Sequence, residues 1–243
     1  MNYEIDFLPI GEGSGDAIVV RYGNPLNGYS LHVIDGGRTE TAKTITSHIN
    51  KYYPGSHIDH MILSHADNDH ACGLVGVMEN FEVKHLWMNR PWLYADQVIN
   101  SFHGNFTREG LINDIKKRHP YLVTLEELAT QKGTVIHEVF QGDRIGKFTV
   151  LAPERDRYIK SIPDFGKTPT NSAVEAAHHS KYPFLQSLIR RTNKILEYWN
   201  KETLANNTST SASNESCVVQ HANFEGEGVL LTADVGPVGL AEA

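Results

Sequence analysis

The stretch Ser64–His70, SHADNDH, crowds four metal-ligating side chains into seven residues: His65, Asp67, Asp69 and His70. The preceding residues 58–63, IDHMIL, predict a strand, and residues 71–74, ACGL, predict a tight turn or the start of a short helix. A loop that leaves a strand can turn neighbouring side chains toward one centre, whereas a regular strand sends alternate side chains to opposite faces. Imidazole and carboxylate groups are ligands of zinc, manganese and iron. The stretch therefore predicts a metal site, and a solvated loop rich in turn-forming Asp and Asn is the alternative.

Two further carboxylates end apolar strands elsewhere in the chain. Asp35 closes LHVID before Gly36 and Gly37, and Asp234 closes VLLTAD. Functional side chains commonly project from loops at the edge of a sheet. Both residues are therefore candidates for the same site as SHADNDH, with a turn residue as the alternative for Asp35 and an ordinary strand-end carboxylate as the alternative for Asp234.

The first third of the chain predicts a sheet with helices packed on it. Residues 3–10, 17–22 and 30–35 are β-branched and aromatic runs separated by the turn compositions GEGSG and GNPLNG, which indicates consecutive antiparallel strands. Residues 41–53 have helical spacing and end at Pro54-Gly55, before the strand that leads into SHADNDH. A helix between two strands indicates a crossover connection.

The remaining two thirds repeat this pattern more loosely. Strands are predicted at 83–88, 135–140, 148–151, 217–223 and 228–232, and helices at 93–102 and 108–131. Residues 154–213 differ in character, since they combine an amphipathic helical face over 185–199 with a polar tail at 206–214. We interpret 154–213 as a helical and low-complexity insertion within a single domain that spans 1–243.

Composition limits the location and the partners. The net charge of −7 and the pI of about 6.0 give no general attraction to nucleic acid or to an acidic membrane surface. The chain has no apolar run of membrane-spanning length and no signal-peptide pattern at its N-terminus, so we expect a cytoplasmic protein. Cys72 and Cys217 are expected to be free thiols. Most of the thirteen histidines are expected to be surface or packing residues.

The ordered motifs resemble the metallo-β-lactamase superfamily, whose signature is HxHxDH followed by a later strand-end aspartate. The closer resemblance is to the metallohydrolase domain of competence-type DNA-uptake proteins and their free-standing relatives, where SHxDxDH is common. That subgroup also has a GxGDAI turn and an Asn-x-Ser-x-Val strand. The matching stretches here are Phe7 to Ile18 and Asn214 to Val218.

The resemblance implies a four-layer αββα sandwich with one or two divalent metal ions, zinc first and manganese or iron as alternatives. His65 and Asp67 would bind one ion, Asp69 and His70 the other, and Asp234 would bridge them. A metal-bound hydroxide would act as the nucleophile because metal binding lowers the pKa of water from 15.7 toward about 7, and Asp69 would have the catalytic role of orienting it. Asp35 would hold the SHADNDH loop without binding metal.

The sequence departs from the subgroup at two points. Asp67 stands where a histidine is more frequent, which favours oxygen-preferring metals. Only nine residues follow Asp234, and the HHGS-like histidine motif of the subgroup is not among them. The expectation is therefore either a fragment or a site with one ligand fewer.

The resemblance favours a metal-dependent hydrolase acting on a phosphodiester or a nucleotide, a phosphodiesterase or nuclease-like enzyme. Nucleic acid stays open as a partner although the net charge does not favour it, and a homo-oligomer stays open as well; no membrane partner is expected. The alternative is a degenerate, non-catalytic fold that serves as a binding or assembly module. A di-iron redox protein would be expected to come with a flavin-binding partner, and no residue pattern indicates one.

Overall fold

The structure is a computed structural model that describes residues 2–102, 106–165 and 210–243. The strands are β1 (Asn2–Phe7), β2 (Ile18–Asn24), β3 (Gly28–Ile34), β4 (Ile58–Ile62), β5 (Val83–Trp87), β6 (Val135–His137), β7 (Arg144–Ile145), β8 (Phe148–Ala152), β9 (Val219–Phe224) and β10 (Glu227–Leu231). The helices are α1 (Thr41–Tyr52), α2 (Asn68–Asn80), α3 (Ala95–Val98), α4 (Arg108–Arg118), α5 (Pro120–Lys132), α6 (Arg155–Ser161), α7 (Ala212–Glu215) and α8 (Pro237–Glu242). Short 3-10 turns cover 91–94, 99–101 and 162–164.

Strands β1 to β6 form one sheet in sequence order. The first three are antiparallel, as the sequence predicted, and β3 to β6 are parallel. Helix α1 connects β3 to β4, so the predicted crossover is confirmed. Because the parallel strands share a direction, the loops that follow β3, β4 and β5 leave the sheet at the same edge.

A second sheet, in the order β10-β9-β8-β7, faces the first. Side chains alternate along the strands, which divides the core in two. In β2, Val19 packs in the core shared with the helices, whereas Ile18 and Val20 pack with Phe148 and Phe224 between the sheets. The fold is thus mixed α/β with a central sheet flanked by helices, in agreement with the predicted class.

Several predicted boundaries were wrong. The helix predicted over 108–131 is two helices, because Pro120 lacks an N–H and disfavours helical geometry at the residue before it; His119 has φ −123° and ψ 60°. The helix predicted over 93–102 is a chain of short α and 3-10 segments, and the strand predicted over 135–140 ends at His137. The amphipathic helix predicted over 185–199 lies outside the described residues.

Helix α2 is longer than predicted, and its start decides where the SHADNDH side chains point. It begins at Asn68 rather than near residue 71 and runs for 13 residues. Its first turns sit directly on the loop after β3, where Gly36 N–H donates to the His70 carbonyl at 2.8 Å. A Cβ on Gly73 would lie 1.8 Å from the Gly36 carbonyl oxygen, so only glycine allows this approach.

Across the described ranges, every helix is too short or too polar to cross a membrane.

Candidate metal centre

His65 and His70 stand side by side at the sheet edge, with ring centroids 4.2 Å apart. His65 lies in the loop after β4, and His70 lies in the first turn of α2. Both side chains are fully buried. The Nε2 atom of each ring is enclosed and has no hydrogen-bond partner among the described residues. Leaving a buried polar atom unpaired costs free energy, so the two orphaned nitrogens indicate a missing ligand.

Asp35 and Ser64 orient these rings from behind. The Asp35 carboxylate accepts hydrogen bonds from His70 Nδ1 at 2.8 Å, from Ser64 N–H at 2.8 Å and from Ser64 Oγ at 2.6 Å. Ser64 Oγ also lies 2.9 Å from His65 Nδ1. With the proton of His70 held on Nδ1, its Nε2 presents a free lone pair, which is the tautomer a metal ligand needs. Asp35 adopts φ 56°, a strained conformation that these contacts stabilise.

Two carboxylates approach the orphaned nitrogens from the solvent side. An oxygen of Asp234 lies 3.5 Å from His70 Nε2, and an oxygen of Asp67 lies 3.6 Å from His65 Nε2. Ligands about 2.1 Å from one tetrahedral ion would be roughly 3.4 Å apart. One ligand atom from each of His65, His70 and Asp234 falls within 4.8 Å of the others. The group therefore fits a divalent transition-metal ion in both donor type and spacing.

Asp67 and Asp69 point in different directions. Asp67 accepts a hydrogen bond from Ser213 Oγ at 2.6 Å with its other oxygen, so it faces the centre beside His65. Asp69 follows on the first turn of α2, where consecutive side chains are about 100° apart. Its carboxylate accepts a hydrogen bond from Ser14. Within the described ranges Asp69 belongs to neither three-residue group of closely spaced ligand atoms, although the sequence prediction paired it with His70.

Asp16 is a neighbour of the centre that the sequence analysis did not single out. Ligand atoms of Asp16, Asp35 and His70 lie within 4.8 Å of one another. Burial and the nearby Asp35 charge raise the pKa of Asp16. Asp16 is the aspartate of the GxGDAI-like turn, so the sequence did contain a motif that points to it. Asp16 adds negative charge to the site, which favours a cation.

The pKa values in the centre reflect its concentration of charge. Burial alone would lower the pKa of His70, but the negative carboxylates of Asp234 and Asp35 outweigh it and raise the value to about 11. The nearby His70 lowers the pKa of Asp234. Burial would raise the pKa of Asp67, but its interaction with His65 lowers it on balance.

A cavity of about 450 Å³ lies beside the start of α2, at Asn68 and Asp69. It is lined by Arg38, Thr39, Glu40, Asn68, Asp69, Cys72 and Tyr121. Cavities of this size hold small-molecule ligands. Arg38, exposed in the loop between β3 and α1, is the only cationic residue of this lining.

Part of the chain is similar to a known family. Residues 10–97, about a third of the chain, match the family model described as the metallo-beta-lactamase superfamily. The matched segment contains Asp35 and the whole SHADNDH stretch, and Asp234 lies outside it. Members of that superfamily are generally metal-dependent hydrolases; the match does not extend to the DNA-uptake subgroup or to a substrate.

Solved structures and curated sequences were also compared. The chain is similar to a protein of Thermotoga maritima described as a metallo-beta-lactamase, with 10% identity, a TM-score of 0.37 and coverage of 62% of this chain and 66% of that one. It is also similar to a beta-lactamase domain protein of Burkholderia ambifaria, with 16% identity, a TM-score of 0.33 and coverage of 61% and 46%. It thus spans less than two thirds of either chain. No curated protein sequence matches it.

Proposed function

We propose that this protein is a metal-dependent hydrolase whose substrate is a small phosphodiester or a nucleotide. The observation that carries the metal-dependent part is the pair of buried, unpartnered Nε2 atoms of His65 and His70 beside the carboxylate of Asp234. A divalent ion held there would lower the pKa of a coordinated water toward neutrality and so supply a nucleophile.

The other residues of the centre have distinct parts in this proposal. Asp35 fixes the tautomer of His70 through its 2.8 Å hydrogen bond. Asp67 adds a carboxylate next to His65, in keeping with the predicted first site. Asp69, which lines the neighbouring cavity and accepts a hydrogen bond from Ser14, would have the catalytic role of orienting the nucleophilic water.

The cavity and the overall charge support the substrate class. About 450 Å³ accommodates a nucleotide-sized group, and Arg38 offers a guanidinium to a phosphate. The net charge of −7 disfavours binding along extended DNA, so a compact phosphodiester suits the protein better than a long duplex. The resemblance to the DNA-uptake subgroup points to the same chemistry. A cytoplasmic location belongs to the proposal as well, because Cys72 and Cys217 are both free and buried.

Metal content is the first test. Protein purified without added metal is assayed by elemental analysis and then reloaded separately with Zn²⁺, Mn²⁺ and Fe²⁺. We expect one to two equivalents of metal in the native chain and a loss of at least half in His70→Ala. The matched control is His221→Gln, a substitution of a histidine on β9. An absence of metal after reloading would overturn the hydrolase proposal in favour of a binding module.

Substrate class is tested on the loaded protein. Bis(p-nitrophenyl) phosphate and a nucleoside p-nitrophenyl phosphodiester are compared with a thioester, a lactone and a β-lactam. We expect turnover of the phosphodiesters and a KM at least tenfold higher in Arg38→Ala, because a charge-assisted contact with phosphate contributes about 1.5 to 3 kcal/mol. Turnover of only the non-phosphate substrates would refute the substrate class and leave the metal site standing.

A further inference from the structure

Four histidines form a row on the face of the six-stranded sheet that turns toward the second sheet. They are His32 on β3, His60 on β4, His85 on β5 and His137 on β6. The register aligns His32, His60 and His85 directly, and His137 lies opposite Trp87. Successive rings are 4.6, 5.3 and 5.1 Å apart between centroids. The row lies within the strands, whereas His65 and His70 lie beyond the end of β4, so the two sets are separate.

We propose that His85 and His137 form a second metal site, which takes a borderline divalent transition-metal ion such as Zn²⁺, Ni²⁺ or Cu²⁺. Imidazole suits these ions, and the preference order places Cu²⁺ highest among them. The site is independent of the proposed hydrolase activity.

The inner two rings are less suited to bind a metal ion. His32 is fully buried, with its Nε2 3.0 Å from the Tyr22 hydroxyl and its Nδ1 without a hydrogen-bond partner among the described residues. Its complete burial leaves no access for the water molecules that would complete the coordination of an ion. His60 Nδ1 accepts a hydrogen bond from the Trp87 indole N–H at 3.1 Å, which places the His60 proton on Nε2. Metal binding at His60 Nε2 would move that proton to Nδ1, against the indole N–H.

The outer pair has the geometry of a bidentate site. His85 Nδ1 and His137 Nε2 are 3.0 Å apart, close enough that a single proton lies between two ring nitrogens. Two imidazole ligands about 2.1 Å from one tetrahedral ion are separated by roughly 3.4 Å, so a small opening of the pair admits the ion. Metal binding moves the shared proton to the outer nitrogen of the ring that carried it, so each ring stays neutral and presents a lone pair to the ion. Both rings are partly exposed, which leaves the remaining coordination positions to water.

The surroundings hold the pair in place and keep it neutral. Trp87 stacks on His137, with centroids 4.2 Å apart and an interplanar angle of 17°. Its indole N–H is fixed by His60, so the stacked ring limits the rotation of His137. Burial and the neighbouring His85 lower the pKa of His137, against the opposing charge of Asp143, and a neutral imidazole is the form that binds a metal ion.

Trp87 also provides the measurement. The protein has three tryptophans, so Trp92→Phe and Trp199→Phe leave Trp87 as the only indole. In this background, with the first centre loaded with Zn²⁺, Cu²⁺ is titrated while indole fluorescence is recorded. We expect saturable quenching at one equivalent, because paramagnetic Cu²⁺ would sit one ring away from the indole. Electron paramagnetic resonance of the same sample should show coupling to two imidazole nitrogens.

Single substitutions decide the assignment. His85→Gln and His137→Gln should each weaken the Cu²⁺ affinity at least tenfold, whereas His221→Gln and His70→Ala should leave the quenching curve unchanged. Equal affinity in native protein and both pair variants would overturn the proposal, as would quenching lost in His70→Ala. If one pair variant fails to fold, the nitrogen coupling in the parent background decides: fewer than two imidazole nitrogens would refute the site.

Discussion

Replacing Asp35 by Asn tests the reasoning about the metal centre most directly, because it changes one atom of a buried residue. The Asn carbonyl can still accept from Ser64 N–H, as Asp35 does at 2.8 Å. The amide nitrogen then takes the place of the oxygen that accepts from Ser64 Oγ and His70 Nδ1. A donor facing Nδ1 drives the His70 proton to Nε2. The nitrogen that should bind metal then carries a proton.

The size of this effect follows from the role of Asp35 as an orienting residue. Removing a carboxylate that orients a metal-binding histidine typically lowers metal affinity 10- to 100-fold, which corresponds to about 1.4 to 2.7 kcal/mol. We expect Asp35→Asn to fall in this range for Zn²⁺ while the first-turn contacts of α2 keep the chain folded. Ser64 loses one acceptor as well, so His65 is held less firmly.

The assay is competition for Zn²⁺ against a chromophoric chelator, with circular dichroism to verify the fold. Nitrogen-15 shifts of the His70 ring report the tautomer independently of affinity. Asp59→Asn is the matched control, since Asp59 is a partly buried aspartate that also accepts a hydrogen bond from a backbone N–H, that of Leu31 at 3.0 Å, outside the centre. A folded Asp35→Asn that keeps native Zn²⁺ affinity, or a proton still on His70 Nδ1, would refute the argument.

Two further predictions concern stability. His32 is fully buried with a pKa of about 3, lowered by burial and then by His60, against 6.5 in the unfolded chain; its stabilising contribution is complete above pH 6.5 and is lost as the pH falls toward 3. Between pH 7 and pH 5 the free energy of unfolding, measured with urea, should fall by about 2 kcal/mol through protonation of His32. In His32→Gln the fall should be smaller by that amount. An equal fall in both proteins would contradict the assignment. Gly73→Ala should destabilise the fold by about 1 to 3 kcal/mol, despite the better helix propensity of Ala, because its Cβ meets the Gly36 carbonyl oxygen. Gly110→Ala in α4, whose Cβ meets only Thr107 Oγ1 at 3.0 Å, is the control and should be neutral or stabilising; an unchanged Gly73→Ala melting temperature would contradict the close approach.

The sequence predicted those strands and helix ends well that depend on a pattern within a short segment. The continuous apolar runs in β2 and β3 follow from a sheet covered on both faces. Pro54-Gly55 ends the region of α1 within two residues of its last helical residue, Tyr52. The break between α4 and α5 was equally local, since Pro120 signals it, and the prediction overlooked it. The length of α2 was harder to predict, because Gly73 and Gly76 weaken helix propensity while packing on the β3 loop stabilises the helix.

The residues around the metal centre differ in whether a short sequence segment predicts their position. Asp35, His65, His70 and Asp234 were predicted because each follows a strand or lies in the SHADNDH stretch, and the structure brings them together. Asp69 was assigned to the same centre by motif order, and its carboxylate accepts a hydrogen bond from Ser14 beside the cavity. Asp16 enters only through tertiary contact, since its relation to His70 depends on the glycine-rich turn folding back over α2. Sequence spacing cannot supply that contact.

The two sets of histidines differ in a way that explains why only one was predicted. His65 and His70 follow a strand end, where a loop can gather neighbours in sequence, so a dense motif reveals them. His85 and His137 are 52 positions apart and meet because β5 and β6 pair in parallel, two residues out of direct register. Each looks like an ordinary strand residue in its own segment. The sequence of either strand does not indicate which side chains become neighbours, because helices α4 and α5 separate the two strands along the chain. A metal site built across such a pair therefore becomes visible only once the sheet is known.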